Sequence, residues 1–511
     1  MLTTEQKSRI GFTYIIDLLK PASPYGRQEI KSISPFVPGE EIALKLELEN
    51  ISKTLAVLNE FKTEILKLEQ IFTQIKHISA SIERVGAILT EVDLFELKRF
   101  LLQLAQLAPL FDKINNIAVY HGISINALPD ALKILDPDGS GIANFHISSR
   151  SFPELAAVRE EKKQIELKLR GNPSADELVT LNTLRTQLAA HEQVEERAAA
   201  HFMSSQLMPW KSRLLENTRA IARLDLTIQK AKLSMTQCTC MPEIIGGEIC
   251  VETGGKSGEE VTENTDSSDN KESIVFEEMS NPQINHICEK NGRSFTPLSI
   301  ELKRGATVIT GANMGGKSVA LKTIALNTAL IHYGFFPFAK KAKCPLLHEI
   351  FLISDDLEST ARGLSSFAGE VVMLKGCLEQ IQSKKSLILL DEFARGTNPH
   401  EGSAIARSAC KYLNKKNAFT VITTHFEGVA AQAKAHYQSA GLSKMYIDEI
   451  QDSANTDDDE AAVQRNLKLS INQRISLIAQ NMDYGLHKVS ANQKLPNEAL
   501  NICRILGLDI L

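Results

Sequence analysis

A glycine-rich loop carrying a lysine and a hydroxyl lies within "TGANMGGKSVALKT" (310–323). Gly311, Gly316, Lys317 and Ser318 satisfy the phosphate-binding spacing G-x-x-x-x-G-K-[ST]. Glycines let backbone N–H groups converge on phosphate oxygens at a helix N-terminus. We expect Lys317 to reach the β- and γ-phosphates of ATP and Ser318 to bind Mg²⁺. The alternative, a chance glycine-rich turn, is disfavoured because the loop follows an apolar run and precedes a helical pattern.

The whole loop is predicted to line the nucleotide. Its residues are Gly311, Ala312, Asn313, Met314, Gly315, Gly316, Lys317, Ser318 and Val319.

An acidic pair follows a second apolar run, in "SLILLDEF" (386–393). Asp391 at the strand end could bind Mg²⁺ through water. Glu392 would stand beside the γ-phosphate, where it could orient and deprotonate the attacking water. Such a pair alone is weak evidence, because helix starts also favour acids. Downstream of a phosphate-binding loop it predicts an ATPase.

A histidine follows a third apolar run, in "VITTHFEG" (421–428). His425 could hydrogen-bond the γ-phosphate and complete the catalytic set with Lys317 and Glu392, although an isolated histidine is more often an ordinary surface residue. The order of phosphate loop, Asp-Glu pair and strand-end histidine is that of ABC-type ATPases, which favours the catalytic interpretation.

A serine cluster precedes a helical pattern in "SDDLESTARGLSSFAGE" (354–370). Ser365 and Ser366 are suitable donors to a phosphate held by a second subunit. A plain helix cap is the alternative. If the cluster acts on a second subunit, the active protein is a homodimer with composite nucleotide sites.

The elements that must position these residues form two classes. Apolar residues at three- and four-residue spacing over 40–72, 153–170 and 210–233 predict long helices, arranged as an elongated antiparallel arm or as a compact bundle. Later runs rich in β-branched residues predict parallel strands, namely 306–310, 349–353, 386–390 and 419–423. The fold class is therefore α plus α/β, with a helical lever domain followed by an ABC-type P-loop domain.

Composition supports this division. We predict a helical domain at 1–245, an acidic flexible insert or linker at 246–273 and an ATPase domain at 274–511. The net charge is −5, but 248–273 carries −6 and 451–460 carries −5, so the remainder carries +6. That balance permits a partner with a phosphate backbone without requiring one.

Three other patterns limit the class of protein. The N-terminus lacks the order of a signal peptide, and no apolar run has the length of a membrane span, so we expect a cytoplasmic protein. The Cys238–Cys240 pair has no second pair at metal-ligand spacing. Asp136 and Asp138 resemble the start of a calcium loop, but the twelfth position is Ile147, so we predict a turn.

The motifs together resemble those of the MutS family. "TGANMGGKSVALKT" is similar to its Walker A sequence, and "LILLDEFARGTNPHEGSAIA" to its Walker B and following G-T-x-x-x-E-G loop. "TTHF" is similar to its histidine switch, and "DDL" with "SSF" to its serine signature, although extra residues separate Ser359 from Ser365. The resemblance covers nearly the whole chain and is strongest over 300–430.

The resemblance carries further expectations. It implies bound ATP and Mg²⁺, a dimer, and a stacking contact between Phe295 and adenine. Upstream, "LDPDGSGIANFHISSRSFPELAAVREEKKQIELKLR" is similar to the lever region of the second MutS branch, which is linked to recombination rather than mismatch repair. The chain begins at the lever and ends without a nuclease pattern, so we expect neither a mismatch-reading nor a nuclease domain.

Two partners remain open for such a motor. One is duplex or branched DNA, bound by basic groups along the arms, with Lys162, Lys163, Lys168 and Arg170 as candidates unless they form an ordinary solvated helix face. The other is a protein, because short chains of this kind also resemble the ATPase subunit of reactivating factors for adenosylcobalamin-dependent aminomutases. A basic arm surface would favour DNA, and an exposed apolar surface would favour a protein.

Overall fold

The computed structural model describes residues 1–143, 147–171, 173–246, 272–311, 316–354, 366–381, 384–442 and 482–489. The chain divides into two compact units, one made of Met1–Leu18, Ser34–Glu49 and Leu233–Leu511, and the other of Leu19–Ile33 and Asn50–Lys232. A domain is a part of the chain that can fold by itself, whereas this division is based only on contacts between residues. The domain ranges 1–245, 246–273 and 274–511 therefore stay predictions. Residues 247–271 of the acidic insert and all of 451–460 lie outside the described residues.

The second unit is helical. Its helices are α3 (Pro24–Ser32), α4 (Glu41–Val57), α5 (Lys62–Gln74), α6 (Ser79–Glu83), α7 (Glu91–Ala118), α8 (Pro129–Leu135), α9 (Pro153–Arg170), α10 (Ala175–Leu207) and α11 (Lys211–Thr236). Helices α4 and α11 each include residues of both units. The helices predicted at 153–170 and 210–233 are confirmed, while the one predicted over 40–72 is two helices, α4 and α5.

Helix α7 shows how the sequence sets these elements. Thr90 caps its N-terminus and Asp93 returns a hydrogen bond, which satisfies backbone groups that would otherwise lack partners. Helices α9 and α10 pack against each other through Val158, Ile165 and Leu188. Short 3₁₀ turns at Ser149–Ser151 and Met208–Trp210 precede α9 and α11.

The first unit is built on two sheets. Its helices are α1 (Thr4–Ile10), α2 (Phe12–Leu18), α12 (Pro282–Lys290), α13 (Lys317–His332), α14 (Ser366–Gln380) and α15 (Pro399–Leu413), with a 3₁₀ turn at Ala430–Gln432. Its strands are β1 (Glu243–Ile245), β2 (Ser273–Met279), β3 (Leu298–Lys303), β4 (Gly305–Thr310), β5 (Lys341–Pro345), β6 (Glu349–Ile353), β7 (Ser386–Asp391), β8 (Ala418–Thr423), β9 (Ala435–Leu442) and β10 (Met482–Lys488).

The larger sheet positions the site. Its strand order is β10-β9-β4-β8-β7-β6, and every pairing is parallel except that of β10 with β9. The four parallel strands predicted from sequence are therefore confirmed as β4, β6, β7 and β8. Strands β4, β7 and β8 are buried along almost their whole length, as expected of central strands covered on both faces. The smaller sheet has the order β1-β5-β2-β3 and is mixed.

An apolar core holds the larger sheet against its helices. Strand residues Val308, Ile388 and Ile422 pack with Cys377 of α14 and Cys410 of α15. The six cysteines within the described ranges are free thiols. In those ranges no helix is both long and apolar enough to cross a bilayer.

Candidate active site

Strand β4 delivers the phosphate-binding loop to the carboxyl end of the sheet. Gly311 has φ 142°, and a Cβ there would lie 2.0 Å from the Ser439 hydroxyl. Gly316 has φ 79° and opens α13, and a Cβ there would lie 3.0 Å from the Tyr484 ring. Both positions therefore require glycine. Ala312, Asn313, Met314 and Gly315 lie outside the described residues.

Lys317 lies buried between the loop and the acidic pair. Its side chain is 2% exposed, and its Nζ donates to the Gly311 carbonyl at 2.7 Å and lies 3.4 Å from Glu392 Oε1. Burial lowers the pKa of Lys317, and the nearby carboxylates of Glu392 and Asp391 oppose that shift. The structure thus brings two of the three predicted catalytic residues into direct contact.

Asp391 and Ser318 meet at the position predicted for Mg²⁺. The Ser318 hydroxyl donates to Asp391 Oδ1 at 3.0 Å. The neighbouring strand β8 places Thr423 beside Asp391, and the Thr423 hydroxyl donates to the same oxygen at 2.8 Å. Thr423 also accepts the Glu392 N–H at 3.0 Å. One buried threonine therefore orients both acids of the pair.

Glu392 occupies an unusual backbone conformation. Its φ is 48°, and that of Ala394 is 67°, in the left-handed region where side chains other than glycine are rare. Arg395 Nη1 donates to Glu392 Oε2 at 2.6 Å, and the buried carboxylate of Glu370 accepts the Ala394 N–H at 2.8 Å. Such conformations cost on the order of 1–3 kcal/mol each and persist where neighbours enforce them, often at active sites.

Gly402 of α15 makes room for this strained turn. A Cβ at that position would lie 2.6 Å from the Ala394 carbonyl oxygen and 2.9 Å from the Phe426 ring. Gly402 belongs to the G-T-x-x-x-E-G stretch, where Thr397 and Glu401 approach at 3.5 Å between side-chain oxygens. This stretch therefore supports the turn after Glu392 by close packing.

His425 follows β8 and lies in the electrostatic field of the same group. Partial desolvation lowers the pKa of His425, Glu392 raises it, and Lys317 and Arg395 lower it further. The ring remains exposed and lies 4.5 Å from the Phe426 ring centre. His425 is thus close enough to be influenced by the charged set, while its contact with a γ-phosphate stays a prediction.

The remaining predicted residues are less closely defined. Val319 is half-buried in the first turn of α13. Phe295 is half-buried in the segment before β3, and its adenine contact stays a prediction. Ser365 lies outside the described residues, and of Ser366 the structure gives only its place at the start of α14.

A cavity of about 270 Å³ opens onto the acidic pair. Its lining residues are Arg9, Ser318, Leu321, Lys322, Leu352, Ser354, Asp391, Glu392 and Arg395. Hydroxyl and carboxylate oxygens from Ser318 and Asp391 are ligands that suit Mg²⁺, which usually takes one or two protein oxygens together with substrate phosphates and water. The donor set therefore fits that ion.

Sequence reasoning missed several residues of this site. Thr423 lies in the TTHF stretch, but only the pairing of β7 with β8 reveals that it faces Asp391. Tyr484 lies beyond a long acidic stretch in sequence and reaches Gly316 because β10 pairs with β9. Arg395 could have been identified from the sequence, since it follows Glu392 by three residues in the same loop.

Parts of the chain are similar in sequence to known proteins. Residues 307–506 match the family description MutS domain V. The chain is 38% identical to an Endonuclease MutS2 of Fusobacterium nucleatum over 165 residues, covering 32% of this chain and 20% of that protein. An Endonuclease MutS2 of Lacticaseibacillus casei is 25% identical over 446 residues, covering 78% of this chain and 54% of that protein.

A third relative follows the same pattern. The Endonuclease MutS2 of Thermomicrobium roseum is 30% identical over 253 residues, covering 49% of this chain and 29% of that protein. The chain therefore spans between a fifth and about half of the length of these relatives. The stretch matched to MutS domain V, residues 307–506, includes Lys317, Ser318, Asp391 and Glu392.

Proposed function

We propose that the chain, which contains a match to MutS domain V over residues 307–506, is a MutS-family ATPase that binds ATP with Mg²⁺ and hydrolyses it at the cavity beside Lys317 and Glu392. The observation that carries this proposal is the meeting of four functional groups from distant parts of the sequence. Lys317 lies 3.4 Å from Glu392, and Ser318 lies 3.0 Å from Asp391.

Each residue would have a distinct role. Lys317 would exchange the Gly311 carbonyl for phosphate oxygens, because the ammonium already points to the loop that cradles them. Ser318 and Asp391 would hold Mg²⁺, which when bound neutralises phosphate charge. Glu392 would orient the attacking water and accept its proton, and Arg395 and Lys317 keep that carboxylate at the cavity. His425 would donate to the γ-phosphate.

We further propose that hydrolysis moves helical arms in a dimer whose nucleotide sites are completed by Ser365 or Ser366 of a second copy. A mixed-dimer experiment tests this directly. A Lys317→Ala protein and a Ser365→Ala, Ser366→Ala protein would each be inactive alone. Mixing them should restore one competent site per mixed dimer, and failure to restore activity would refute composite sites.

The partner that such a motor moves is proposed to be DNA, with a role in repair or recombination. Three curated relatives are named Endonuclease MutS2, and the chain outside its acidic segments carries a net charge of +6. A protein partner, such as an adenosylcobalamin-dependent aminomutase, is the second candidate. It is favoured by two features of α9 and α10.

The first feature is that acids neutralise part of the predicted basic cluster. Lys162 Nζ lies 2.5 Å from Glu192, and Lys163 lies 3.7 Å from Glu160. The second is that apolar side chains are exposed on the same helices, with Leu167 51% and Val179 66% exposed. Exposed apolar groups suit a protein surface better than a phosphate backbone.

Steady-state ATP hydrolysis across a salt series separates the two partners. The purified protein would be assayed alone, with duplex DNA, with mismatched DNA and with a four-way junction, and Glu392→Gln would be the inactive control. Stimulation that declines with salt would identify DNA as the partner. A rate indifferent to every DNA would favour the protein partner, and an absence of hydrolysis above the control would refute the ATPase proposal itself.

A further inference from the structure

Helix α1, at the N-terminus and far in sequence from the ATPase motifs, is fixed along an edge strand of the larger sheet. Thr3 and Gln6 form a capping box at its start, and Gly11 ends it with φ 95°. Gln6 Nε2 donates to the Leu352 carbonyl at 2.8 Å, and the terminal amine of Met1 pairs with Glu349. Both partners belong to β6, so α1 advances along that strand toward its carboxyl end.

This placement brings Arg9 to the site. Arg9 follows Gln6 by three residues, which is about 4.5 Å along a helix. Because Gln6 already contacts Leu352, the next turn of the helix extends to the end of β6, where Ser354 lies. Arg9 accordingly lines the cavity together with Ser318, Asp391 and Glu392.

The surroundings of Arg9 indicate what it would bind. It lines the part of the site that holds the predicted Mg²⁺ ligands and the proposed catalytic carboxylate, where the proposed ATPase mechanism would place the terminal phosphate of ATP. An arginine presents paired N–H donors that match phosphate oxygens. Its side chain is 27% exposed and pairs at 2.5 Å with Glu5, one helical turn earlier. An exposed pair of this kind is weak enough to exchange for a phosphate.

We propose that Arg9 binds the γ-phosphate and makes the site distinguish ATP from ADP. This inference rests on the proposed ATPase function, and it adds a residue from outside the sequence motifs. It also gives the N-terminal segment a direct contact with the nucleotide. With ATP bound, Arg9 would leave Glu5 for the phosphate, and with ADP bound it would return.

Binding measurements test the proposal without turnover. ATP and ADP affinities would be measured by titration with Mg²⁺ in a Glu392→Gln background, adding Arg9→Ala or Arg9→Lys. Arg9→Ala should weaken ATP binding about tenfold, as expected for the loss of a charge-assisted hydrogen bond, and leave ADP binding within about twofold. Arg9→Lys should give an intermediate loss, because the charge remains without the paired donors.

Two further variants serve as controls. Lys7 lies on the same helix, but its ammonium lies 4.8 Å from the Tyr333 ring centre, so Lys7→Ala should change neither affinity. Glu5→Gln removes the competing carboxylate and should strengthen ATP binding two- to threefold while leaving ADP unchanged, on the order expected for a surface ion pair.

The outcomes are distinguishable. Equal losses of ATP and ADP affinity in Arg9→Ala would make Arg9 a structural residue, and no loss of either would remove it from the site. Both results would overturn the inference. If the Glu392→Gln protein with Arg9 intact binds neither nucleotide, the ATPase proposal fails instead. Thermal unfolding of each variant would confirm that α1 remains folded.

Discussion

Two buried lysine–carboxylate pairs among the described residues can be compared, one in each compact unit. Lys98 Nζ lies 3.1 Å from Asp136 Oδ1, with side chains 8% and 5% exposed. Lys317 Nζ lies 3.4 Å from Glu392 Oε1, with side chains 2% and 14% exposed. Burying two charges is expensive unless hydrogen bonds satisfy their remaining donors and acceptors. The two pairs meet that requirement in different ways.

Asp136 is satisfied by its own loop. The backbone N–H groups of Ser140 and Gly141 and the Ser140 hydroxyl donate to its two oxygens at 2.7–3.1 Å. This explains the sequence that resembled a calcium loop, because its acid closes a turn. Beside its single charged partner Lys98, Asp136 is thus held by its own loop, whereas Glu392 is held by two charged side chains, Lys317 and Arg395, beside the cavity that Ser318 and Asp391 line. Partners of that kind can be exchanged for a ligand.

The backbone draws the same distinction. The Asp136 loop reaches left-handed φ with glycines, Gly139 at 63° and Gly141 at 66°. The turn after β7 reaches it with Glu392 and Ala394, which are not glycine. The first loop avoids strain, and the second accepts it to keep a carboxylate in place. On this basis we assign a stabilising role to the Lys98–Asp136 pair and propose the catalytic role for the Lys317–Glu392 pair.

Removing the carboxylate of the strained pair gives the largest expected effect. Glu392→Gln should lower ATP hydrolysis on the order of 100-fold or more, because a positioned base is lost, while ATP binding persists. Steady-state turnover and nucleotide titration measure the two quantities. Asp136→Asn is the matched control and should leave turnover unchanged. If both variants lost activity equally, the distinction between the pairs would fail.

The threonine that orients the acids should come next in effect. Thr423→Val keeps the buried shape but removes the hydroxyl that contacts Asp391 and the Glu392 N–H. By analogy with other supports of metal ligands, Mg²⁺ affinity should fall about 10- to 100-fold. The Mg²⁺ concentration needed for half-maximal hydrolysis reports this change. Thr420→Val, at a buried hydroxyl of the same strand that has no hydrogen-bond partner among the described residues, should have no such effect.

The residues changed in these two variants also show how much of the site could be predicted from the sequence alone. Lys317, Ser318, Asp391 and Glu392 were predictable because fixed spacing and strand ends bring such residues together in parallel sheets. The role of Thr423 was not predictable, because it depends on which strand lies beside β7. Local sequence patterns do not determine the order of strands in a sheet. Arg9 was hidden for a similar reason, since it reaches the site through the docking of α1 on β6.

The fold shows the same limit. The parallel strands and the helix at 153–170 followed from apolar runs and helical spacing, which are local signals. The break between α4 and α5 was missed because the periodic pattern continues through residues 58–61, while the helices end and restart there. The positive φ of Glu392 was also unpredictable, since only surrounding contacts such as that of Glu370 with Ala394 maintain it.

Stability at low pH tests the Lys98–Asp136 pair. Burial raises the pKa of Asp136, but hydrogen bonds from Gly141, Ser140 and Lys98 outweigh it and lower the pKa from 3.8 to about 2. A carboxyl group whose pKa is lower in the folded than in the unfolded state stabilises the fold when the pH is above its unfolded-state pKa. The contribution of Asp136 to the free energy of unfolding should therefore be complete above about pH 4 and lost as the pH falls through 2. Asp136→Asn should therefore cost on the order of 2 kcal/mol at pH 7.

Urea unfolding of wild type and Asp136→Asn at several pH values measures this contribution. The difference in unfolding free energy should shrink between pH 4 and pH 2, because wild-type Asp136 becomes protonated there. A difference that stayed constant over this range would mean that the Asp136 charge contributes nothing and only its shape matters.

The smallest expected effect concerns Gly139 in the Asp136 loop. Replacing it measures the conformational cost of a left-handed residue that is not glycine, which is the situation of Glu392 and Ala394. A Cβ at Gly139 would have no neighbour within 4 Å among the described residues, so Gly139→Ala tests the backbone preference at φ 63°. The expected loss is about 1 kcal/mol of unfolding free energy with unchanged ATP hydrolysis. Urea unfolding measures it, with Gly376→Ala in helix α14 as a control at an equally open glycine whose φ is not left-handed, where alanine should stabilise. A loss at residue 139 matching that estimate would give the order of the strain held at Glu392 and Ala394. No loss would mean that left-handed residues cost little in this chain, and the backbone contrast between the two pairs would then carry no functional meaning.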